Sequence, residues 1–475
     1  MAEQEFHNPG SIVNKKIKRD APLHHAAPAA THAPANQKAG AKAAQFINSP
    51  FLKRGHMLSY IGLMLFTGFV YIRPYEFAPG LSFLSSGAKW IALFTLVVFV
   101  PAQMGLEGNL VGRIREVKLI LLFALTALLS LPMAISISEG WEHFTEFLKV
   151  VVMFIVMVNV VRTEKRLRLM FWLMLAASIM MSIWAIDDYR TGTLLVGGER
   201  IKGAIGGLFE NPNDLALHLV TIVPLTVGLF LGRSGPLRKF IYGSAVLLMV
   251  VAVICTFSRG GFLGLIAVAF VLALKFGRKN RPAVLAISFV VILTFILFAP
   301  AEYGGRLASI FGGDVTGSAS ARQDLFWRSV LVAARYPIFG VGIGNFHHKS
   351  IHEQVSHNSY TQVASELGVA ALVFYVLFML TPLKNLRRIE TETRGRKEQL
   401  KFYYLSVGLQ ASIIGYMVSS FFASVAFLWY IYYLVGYAVC LGRLYAPTGE
   451  AVREESPVEV KPPWLKTPSQ KVEVT

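Results

Sequence analysis

The sequence has few charged residues and little cysteine. Charged side chains make up 16% of its 475 residues, whereas a soluble domain usually has about 25%. Apolar residues make up 54%, so lipid is the expected surrounding of most of the chain. The two cysteines, Cys255 and Cys440, lie in apolar runs near opposite expected ends of the membrane. This placement excludes a disulfide framework and a cysteine metal site.

Motifs for nucleotide or metal chemistry are also missing from the sequence. It contains no Gly-x-x-x-x-Gly-Lys-Ser/Thr phosphate loop and no His-Glu-x-x-His pair. Gly340, Gly342 and Gly344 form a Gly-x-Gly-x-Gly run, but without the strand–helix setting and later acidic residue of a dinucleotide site. A tight turn over the membrane surface is its expected role, and no cofactor is expected.

Apolar runs of membrane-spanning length fill most of the chain. A helix needs about 20 apolar residues to cross a bilayer. The expected spans are Met57–Ile72, Ala88–Gln103, Lys118–Ile137, Phe147–Val161, Leu169–Ile186, Leu215–Leu231, Phe240–Phe257, Phe262–Phe276, Val284–Ala299, Leu367–Pro382, Tyr403–Ser420 and Ala423–Leu441. The sequence therefore predicts an all-α integral membrane protein, a polytopic bundle of about 12 transmembrane helices.

Lysine and arginine determine the expected orientation. The net charge of +18 lies in clusters at alternate connections, as the positive-inside rule expects of cytoplasmic loops, so nucleic acid is not an expected partner. Residues 1–50 and 445–475 are expected to be disordered cytoplasmic tails, and the first lacks the apolar core of a signal peptide. Residues 51–444 are then expected to form a membrane domain with one large loop on the outer side, residues 300–365, containing short helices.

The polar stretch Tyr303–Ser365 is the longest interruption between apolar runs. A long ordered loop between membrane helices usually has a functional role. Because the positive-inside rule disfavours basic residues on the outer side, each basic residue found there is informative. We therefore expect the chemistry of the protein on this side of the membrane.

Arg259 lies in the segment Ser258-Arg259-Gly260-Gly261, at the outer mouth of an expected span. An arginine at membrane depth costs a few kcal/mol unless it is paired or reaches water. Its guanidinium matches two phosphate oxygens, and the two glycines would allow close ligand approach and a chain reversal. Phosphate binding is the favoured role, and snorkelling to lipid headgroups is the alternative.

Three other arginines are expected on the outer side, and they differ in whether a nearby acidic residue could pair with them. Arg322 and Arg328 lie in an expected amphipathic helix, where Asp324 stands one turn before Arg328 as a local ion-pair partner. Arg322 has no acidic residue at that spacing, so a ligand-binding and a structural role are equally open. Arg200 lies in a glycine-rich loop and suits an anion or a solvated surface equally.

His357 precedes the helix that enters a late span. Histidine can accept a proton from a hydroxyl near neutral pH, although a histidine at a helix start is usually a cap or a surface residue. Glu366 lies about half a turn off the His357 face, so it is not expected to orient the imidazole. Asn213 or Asp214 is expected to cap another membrane helix.

Histidines close to His357 raise the question of a metal. His348 and His352 are spaced i, i+4, and His347 is adjacent, but no carboxylate stands at helical spacing beside them. A metal site is therefore not expected.

The combined pattern resembles the O-antigen ligase and polymerase superfamily of bacterial polysaccharide enzymes. The resemblance covers most of Met57–Leu441 in topology, and the motifs lie in Arg200–Asn213, Ser258–Gly261 and Arg322–Gly368. The last of these matches through Arg322, Trp327, Pro337, Gly340, Gly342, His357, Asn358, Glu366, Leu367 and Gly368.

The resemblance implies a glycan donor linked to a polyprenyl (undecaprenyl) diphosphate and a site on the periplasmic loop. It implies that Arg259 and Arg322, together with Arg200, bind the donor diphosphate and that His357 activates the acceptor hydroxyl. It implies supporting roles for Asn358, Glu366 and Asn213. No metal is implied, and the loop between Arg322 and His357 is short for a typical ligase.

The expected function is that of a metal-independent inverting glycosyltransferase in the bacterial inner (plasma) membrane, with cytoplasmic termini. The acceptor stays open between a lipid core sugar, a growing glycan and a protein hydroxyl. These acceptors correspond to a ligase, an O-antigen or exopolysaccharide polymerase and a protein O-oligosaccharyltransferase. The alternative class is a transporter or flippase of lipid-linked sugars, which should have broken helices and ionisable groups at mid-membrane.

Overall fold

A computed structural model describes residues 50–77, 79–110, 114–192, 195–196, 200–201, 209, 211–232, 235–276, 317–351 and 353–446. The first eight helices are α1 (Pro50–Ile72), α2 (Gly87–Glu107), α3 (Arg115–Ser130), α4 (Ile137–Val160), α5 (Glu164–Thr191), α6 (Pro212–Leu231), α7 (Pro236–Cys255) and α8 (Arg259–Phe276). The other five are α9 (Gly317–Arg335), α10 (Ser359–Leu367), α11 (Val369–Thr393), α12 (Leu400–Ser419) and α13 (Trp429–Tyr445).

Short elements connect these helices. A single helical turn occupies Pro74–Phe77, and 3₁₀ turns occupy Pro79–Ser86, Leu131–Met133, Phe346–Lys349, Lys397–Gln399 and Ser420–Phe422. Two short strands, β1 (Leu195–Val196) and β2 (Arg200–Ile201), pair antiparallel after α5.

The all-α membrane architecture expected from the sequence is confirmed. Within the described ranges, ten helices are long and apolar enough to cross a membrane, namely α1 to α8, α11 and α12. The 17-residue helix α13 corresponds to the last expected span. It begins at Trp429 rather than Ala423, because the preceding residues pack in an extended turn against α10. The span expected at Val284–Ala299 lies outside the described residues.

Small residues bring α6 and α12 into backbone contact. A Cβ added to Gly408 would lie 2.7 Å from the Pro224 carbonyl oxygen, and one added to Gly228 would lie 2.7 Å from the Tyr404 carbonyl oxygen. Such close approach between membrane helices needs glycine. Because the residue numbers run in opposite directions along this contact, α6 and α12 are antiparallel, and the start of α6 lies beside the end of α12.

Helix α8 completes a three-helix group with α6 and α12. A Cβ on Gly261 would meet Ala216 of α6 at 2.6 Å, and one on Gly415 of α12 would meet Val268 of α8 at 2.6 Å. Helices α6 and α8 therefore begin at the same end of the group, where α12 ends. This end holds the Ser258–Gly261 segment.

Ion pairs lie at the other end of the helices. Lys275 at the end of α8 pairs with Glu390 of α11, and Lys401 of α12 is 2.7 Å from Glu164 of α5. These are the helix ends that the charge pattern predicts to be cytoplasmic. Since Arg259 and Lys275 are 16 residues apart on α8, they are separated by about 24 Å along the helix axis.

Candidate active site

Arg259 is the first residue of α8 and follows a sharp chain reversal. Phe257 makes the reversal with a left-handed φ of +53°, which is uncommon for a bulky residue. The Ser258 hydroxyl donates to Asn213 Oδ1 at 2.9 Å and accepts from the Gly261 N–H at 3.1 Å. The start of α8 is thus capped by Ser258 and held to α6, which places Arg259 at the junction of the two helices.

Asn213 does not have the capping role expected from the sequence. The cap of α6 is Asn211, whose Oδ1 accepts from the Asn213 N–H at 2.9 Å. The Asn213 side chain is 6% exposed and accepts from Ser258 instead. The expectation failed because Pro212 takes the first helical position, which moves the cap one residue before it.

The two glycines after Arg259 serve helix packing rather than ligand approach. A Cβ on Gly260 would lie 2.7 Å from Phe422 Cβ, and one on Gly261 would lie 2.6 Å from Ala216 Cβ. The chain reversal also comes from Phe257 and not from a glycine. The expectation of glycine-assisted ligand access is therefore not supported at this point.

Arg322 lies near Arg259 although α9 and α8 are far apart in sequence. The side chain of Arg322 is half-buried. Its pKa is lowered mainly by burial and, to a smaller extent, by the positive charge of the Arg259 guanidinium. Neither arginine forms an ion pair with a carboxylate of the described residues. Two neighbouring guanidinium groups that form no ion pair with a described carboxylate have the charge and the donor geometry that an anion requires.

Arg328 differs from its expected arrangement. Its Nε donates to the Lys349 carbonyl oxygen at 2.7 Å. Among the described ion pairs none joins it to Asp324, so the local partnership predicted from the i, i+4 spacing is wrong. The tertiary contact with the segment after the glycine run takes its place.

The turn formed by residues 419–425, here called the 419–425 turn, connects the two arginine segments. The Ser419 hydroxyl donates to the Gly260 carbonyl oxygen at 3.2 Å, next to Arg259. The Phe421 and Phe326 rings are 5.9 Å apart between centroids. Because Phe326 lies one helical turn after Arg322, the two residues share a face of α9.

The same turn also holds the start of α10. The Ser359 hydroxyl donates to the Ala423 carbonyl oxygen at 2.7 Å and accepts from the Val425 N–H at 3.0 Å. The Tyr360 ring is 6.3 Å from the Phe421 ring. His357, two residues before Ser359, therefore flanks the same turn as the two arginines.

His357 has a strained backbone. Its φ is +52°, a value that few non-glycine residues adopt. The Ser356 hydroxyl supports this conformation, since it donates to the Asn358 carbonyl oxygen at 2.9 Å and accepts from the Asn358 N–H at 3.3 Å. Strain of this kind persists where the surroundings fix it, and it is concentrated at functional sites.

Asn358 caps α10 and has an unused donor. Its Oδ1 accepts from the N–H groups of Tyr360 and Thr361 at 2.9 and 3.0 Å. The residue is 2% exposed, and its Nδ2 group has no hydrogen-bond acceptor among the described residues. An unsatisfied buried donor costs about 1–3 kcal/mol, and an acceptor atom on a ligand would remove this cost.

Glu366 holds the glycine run and does not contact His357 in the described hydrogen bonds. Its Oε2 accepts from the Gly344 N–H at 2.9 Å, and its carbonyl oxygen accepts from the Gly342 N–H at 3.0 Å. Burial raises the pKa of Glu366 to about 8, although hydrogen bonds from Gly344 and other groups oppose the rise. The residue supports the loop before α10.

The glycine run itself requires its glycines. Gly340 has a φ of +67°, and a Cβ there would lie 2.2 Å from the Glu366 carbonyl carbon. Gly368 has a φ of +90° and separates α10 from α11, so the helix expected after His357 is broken in two. The run forms a tight turn, as predicted.

The structure thus brings Arg259, Arg322 and His357 to one turn and joins Asn213 to them through Ser258. Arg200 lies in β2 and pairs with Val196 of β1. Its side chain is not among the parts of the chain that the structure describes. Sequence reasoning missed the 419–425 turn. The only signal in the sequence was Ser419-Ser420 with Ala423-Ser424, which indicated a weak turn between two spans and no part in the site.

Comparison with known families gives one match. The family model described as O-antigen ligase matches residues 244–376. The matched segment contains Arg259, Arg322 and His357 but neither Arg200 nor Asn213. None of the curated proteins compared with the sequence matches it significantly.

Proposed function

We propose that the chain is a membrane enzyme of the O-antigen ligase superfamily, whose family model matches residues 244–376, and that it transfers a glycan from a polyprenyl diphosphate to an acceptor hydroxyl. The proposed site is the group of Arg259, Arg322 and His357 around the 419–425 turn. The enzyme would work at the periplasmic face of the bacterial inner membrane, with both termini in the cytoplasm.

One observation carries the proposal. The 419–425 turn contacts both arginine segments, and burial and then the nearby Arg259 guanidinium lower the pKa of Arg322. Neither arginine forms an ion pair with a carboxylate of the described residues. A diphosphate has several anionic oxygens, and two guanidinium forks can bind them in bidentate fashion. Arg259 lies at the end of α8 that is opposite Lys275. A polyprenyl chain in the outer leaflet would present its headgroup at this end.

The transfer would be a single displacement. The acceptor oxygen attacks the anomeric carbon of the donor glycan, and the bond between that carbon and the diphosphate oxygen breaks. The electron pair of this bond leaves with the polyprenyl diphosphate. Arg259 and Arg322 stabilise the charge that develops on the leaving group, so neither ATP nor a metal is required.

His357 would act as the general base. Its imidazole takes the proton of the acceptor hydroxyl as the new bond forms. The Asn358 Nδ2 donor would orient a sugar or acceptor oxygen beside it. A single displacement inverts the anomeric centre, and retention of configuration in the purified product would exclude this route.

The experiment that tests the proposal uses liposomes containing the purified full-length protein. Polyprenyl-diphosphate glycan and a glycan acceptor are supplied, and released polyprenyl diphosphate is measured. Arg259→Ala and Arg322→Ala should each lower the release at least 100-fold, which is the scale for loss of one charge-stabilising donor. Arg335→Ala is the matched control, because it removes an exposed arginine from the end of the same α9 helix.

The alternative class, a transporter of lipid-linked sugars, predicts a different result. It would move intact lipid-linked glycan across the bilayer without releasing the diphosphate carrier. Movement without release, unchanged in Arg259→Ala, would reject the transferase. To identify the acceptor class, a lipid core sugar, a second glycan or a hydroxyl-bearing peptide is offered in the same assay. The compound that receives the glycan is the acceptor.

A further inference from the structure

Three metal-ligating side chains from distant segments meet beside the glycine run. Glu139 lies in the first turn of α4, and His347 and His348 lie in the 3₁₀ turn Phe346–Lys349. Glu139 Oε2 is 3.3 Å from His347 Nε2 and 3.1 Å from His348 Nε2. One ligand atom from each residue lies within 4.8 Å of the others.

These separations suit a tetrahedral metal ion. Zn²⁺ binds imidazole nitrogen and carboxylate oxygen at about 2.0–2.1 Å, so two of its ligand atoms are about 3.3 Å apart. The two measured distances between oxygen and nitrogen agree with this value. Two histidines and one glutamate are also a ligand set that zinc uses, with the fourth position left for solvent.

The tautomer of His347 provides independent support. Its Nδ1 is 3.0 Å from the Gly344 carbonyl oxygen. A carbonyl only accepts hydrogen bonds, so Nδ1 carries the hydrogen, and Nε2 of the neutral ring directs a lone pair towards Glu139 Oε2. A protonated ring would instead donate from Nε2 to Glu139 Oε2, and a bound cation would take the place of that proton. Metal-binding histidines are commonly oriented by such a bond from their other nitrogen.

A side-chain hydrogen bond and close packing hold the histidine segment against α4. Asn345 Oδ1 accepts from the Ser136 N–H at 2.7 Å, next to the first turn of the helix. A Cβ on Gly344 would lie 2.0 Å from His143 Cδ2, and His143 is one turn after Glu139. Close packing therefore positions the backbone of the three ligating residues, while the side chains of His348 and Glu139 are partly exposed, at 27% and 43%.

We propose that Glu139, His347 and His348 bind one divalent transition-metal ion, with Zn²⁺ preferred. The ion would brace α4 against the glycine run that Glu366 holds, and it takes no part in the transfer step. Sequence reasoning did not expect this site, because it looked for a carboxylate at helical spacing. The carboxylate comes instead from a residue 209 positions before His348.

The test measures metal binding to the full-length protein in detergent. After chelator treatment and dialysis, Co²⁺ is added as a spectroscopic probe and Zn²⁺ in competition. We expect one Co²⁺ per chain with visible absorption typical of tetrahedral coordination, and its displacement by Zn²⁺. His348→Gln and Glu139→Gln should each raise the dissociation constant more than about 100-fold, beyond the 10–100-fold cost of an outer-shell change.

The control removes histidines that could bind metal elsewhere. A variant with His7, His24, His25 and His32 replaced by glutamine should keep the bound Co²⁺ and its spectrum. Unfolding of each metal-free variant is compared with that of the wild type, so that loss of folding is recognised. Binding that survives in His348→Gln, or that disappears in the tail variant, would overturn the proposal. X-ray absorption on the zinc form should count two imidazoles, and any other count would also reject it.

Discussion

The Ser258 hydroxyl donates a hydrogen bond to Asn213 Oδ1 at 2.9 Å, across 45 residues of sequence. Both side chains are buried, and the bond joins the first turns of two membrane helices. Arg259 is the next residue, so its position depends on this contact. The bond therefore links the packing of α6 and α8 to the proposed diphosphate site.

Removal of this hydrogen bond should lower both stability and transfer. Asn213→Ala leaves the Ser258 hydroxyl without its acceptor, and we expect a loss of about 1 kcal/mol, the usual scale for interhelical bonds in membranes. Transfer should fall about 10-fold, because Arg259 is less well held. Thermal unfolding in detergent and the liposome assay measure the two effects.

The matched control for this experiment is Ser182→Ala. Among the described residues, the Ser182 hydroxyl donates to the Ser178 carbonyl oxygen of its own helix, at 2.7 Å. Its removal should leave transfer unchanged. Equal losses of transfer in Asn213→Ala and Ser182→Ala would show that the bond to Ser258 has no special role.

Inorganic pyrophosphate should stabilise the folded protein through the two arginines. A ligand present at ten times its dissociation constant adds about 1.4 kcal/mol to the free energy of unfolding. The melting temperature should rise with pyrophosphate, and the rise should vanish in Arg259→Gln/Arg322→Gln. Arg335→Gln should behave like the wild type, and a rise retained in the double variant would place the anion elsewhere.

His357→Asn should separate the chemical role of His357 from its backbone role. Asparagine tolerates the left-handed conformation, so the turn should keep its shape. We expect transfer to fall by about 10²–10⁴-fold, the usual contribution of a general base. Pyrophosphate should stabilise this variant as much as the wild type. Transfer within a few-fold of the wild type would remove His357 as the base.

Glu366 should make stability depend on pH. The folded state holds the proton with a pKa of about 8, and the unfolded chain with a pKa of about 4.3. Between these values the folded state binds more protons, so this contribution is fully present at low pH and is lost as the pH rises through 8. The melting temperature of the wild type should therefore fall as the pH rises from about 4.3 to about 8 and should level off above pH 8.

Glu366→Gln should flatten this dependence, because the amide stays neutral and its oxygen can still accept from the Gly344 N–H. Glu366→Ala should destabilise the protein at every pH, since it leaves that N–H without its partner. A pH profile unchanged in Glu366→Gln would assign the effect to another group.

Gly340 and Gly108 allow steric clash to be separated from backbone strain. Their φ values are +67° and +68°, but a Cβ on Gly340 would lie 2.2 Å from the Glu366 backbone, whereas one on Gly108 would meet nothing within 4 Å. Gly108→Ala should cost about 1–2 kcal/mol from the left-handed conformation alone. Gly340→Ala should cost clearly more or prevent folding. Equal melting temperatures would contradict the packing of the glycine run against α10.

The local sequence was enough to predict the membrane helices and the candidate side chains. Apolar runs predict spans because each helix must satisfy its own backbone in lipid, whatever its neighbours are. Arg259 stood out because basic residues are disfavoured on the outer side, whereas the roles expected of Arg322 and His357 rested on the family resemblance. The tight turn at Gly340 could likewise be inferred from glycine spacing.

Only the tertiary structure decided which of these groups meet. Ser258 reaches Asn213, Arg328 reaches Lys349, and Glu139 reaches His348 because helices pack together whose residues are far apart in sequence. Local spacing describes neighbours within one helix, so it assigned the cap to Asn213 and an ion pair to Asp324. Contacts between helices depend on packing over the whole bundle, and no short stretch of sequence contains that information.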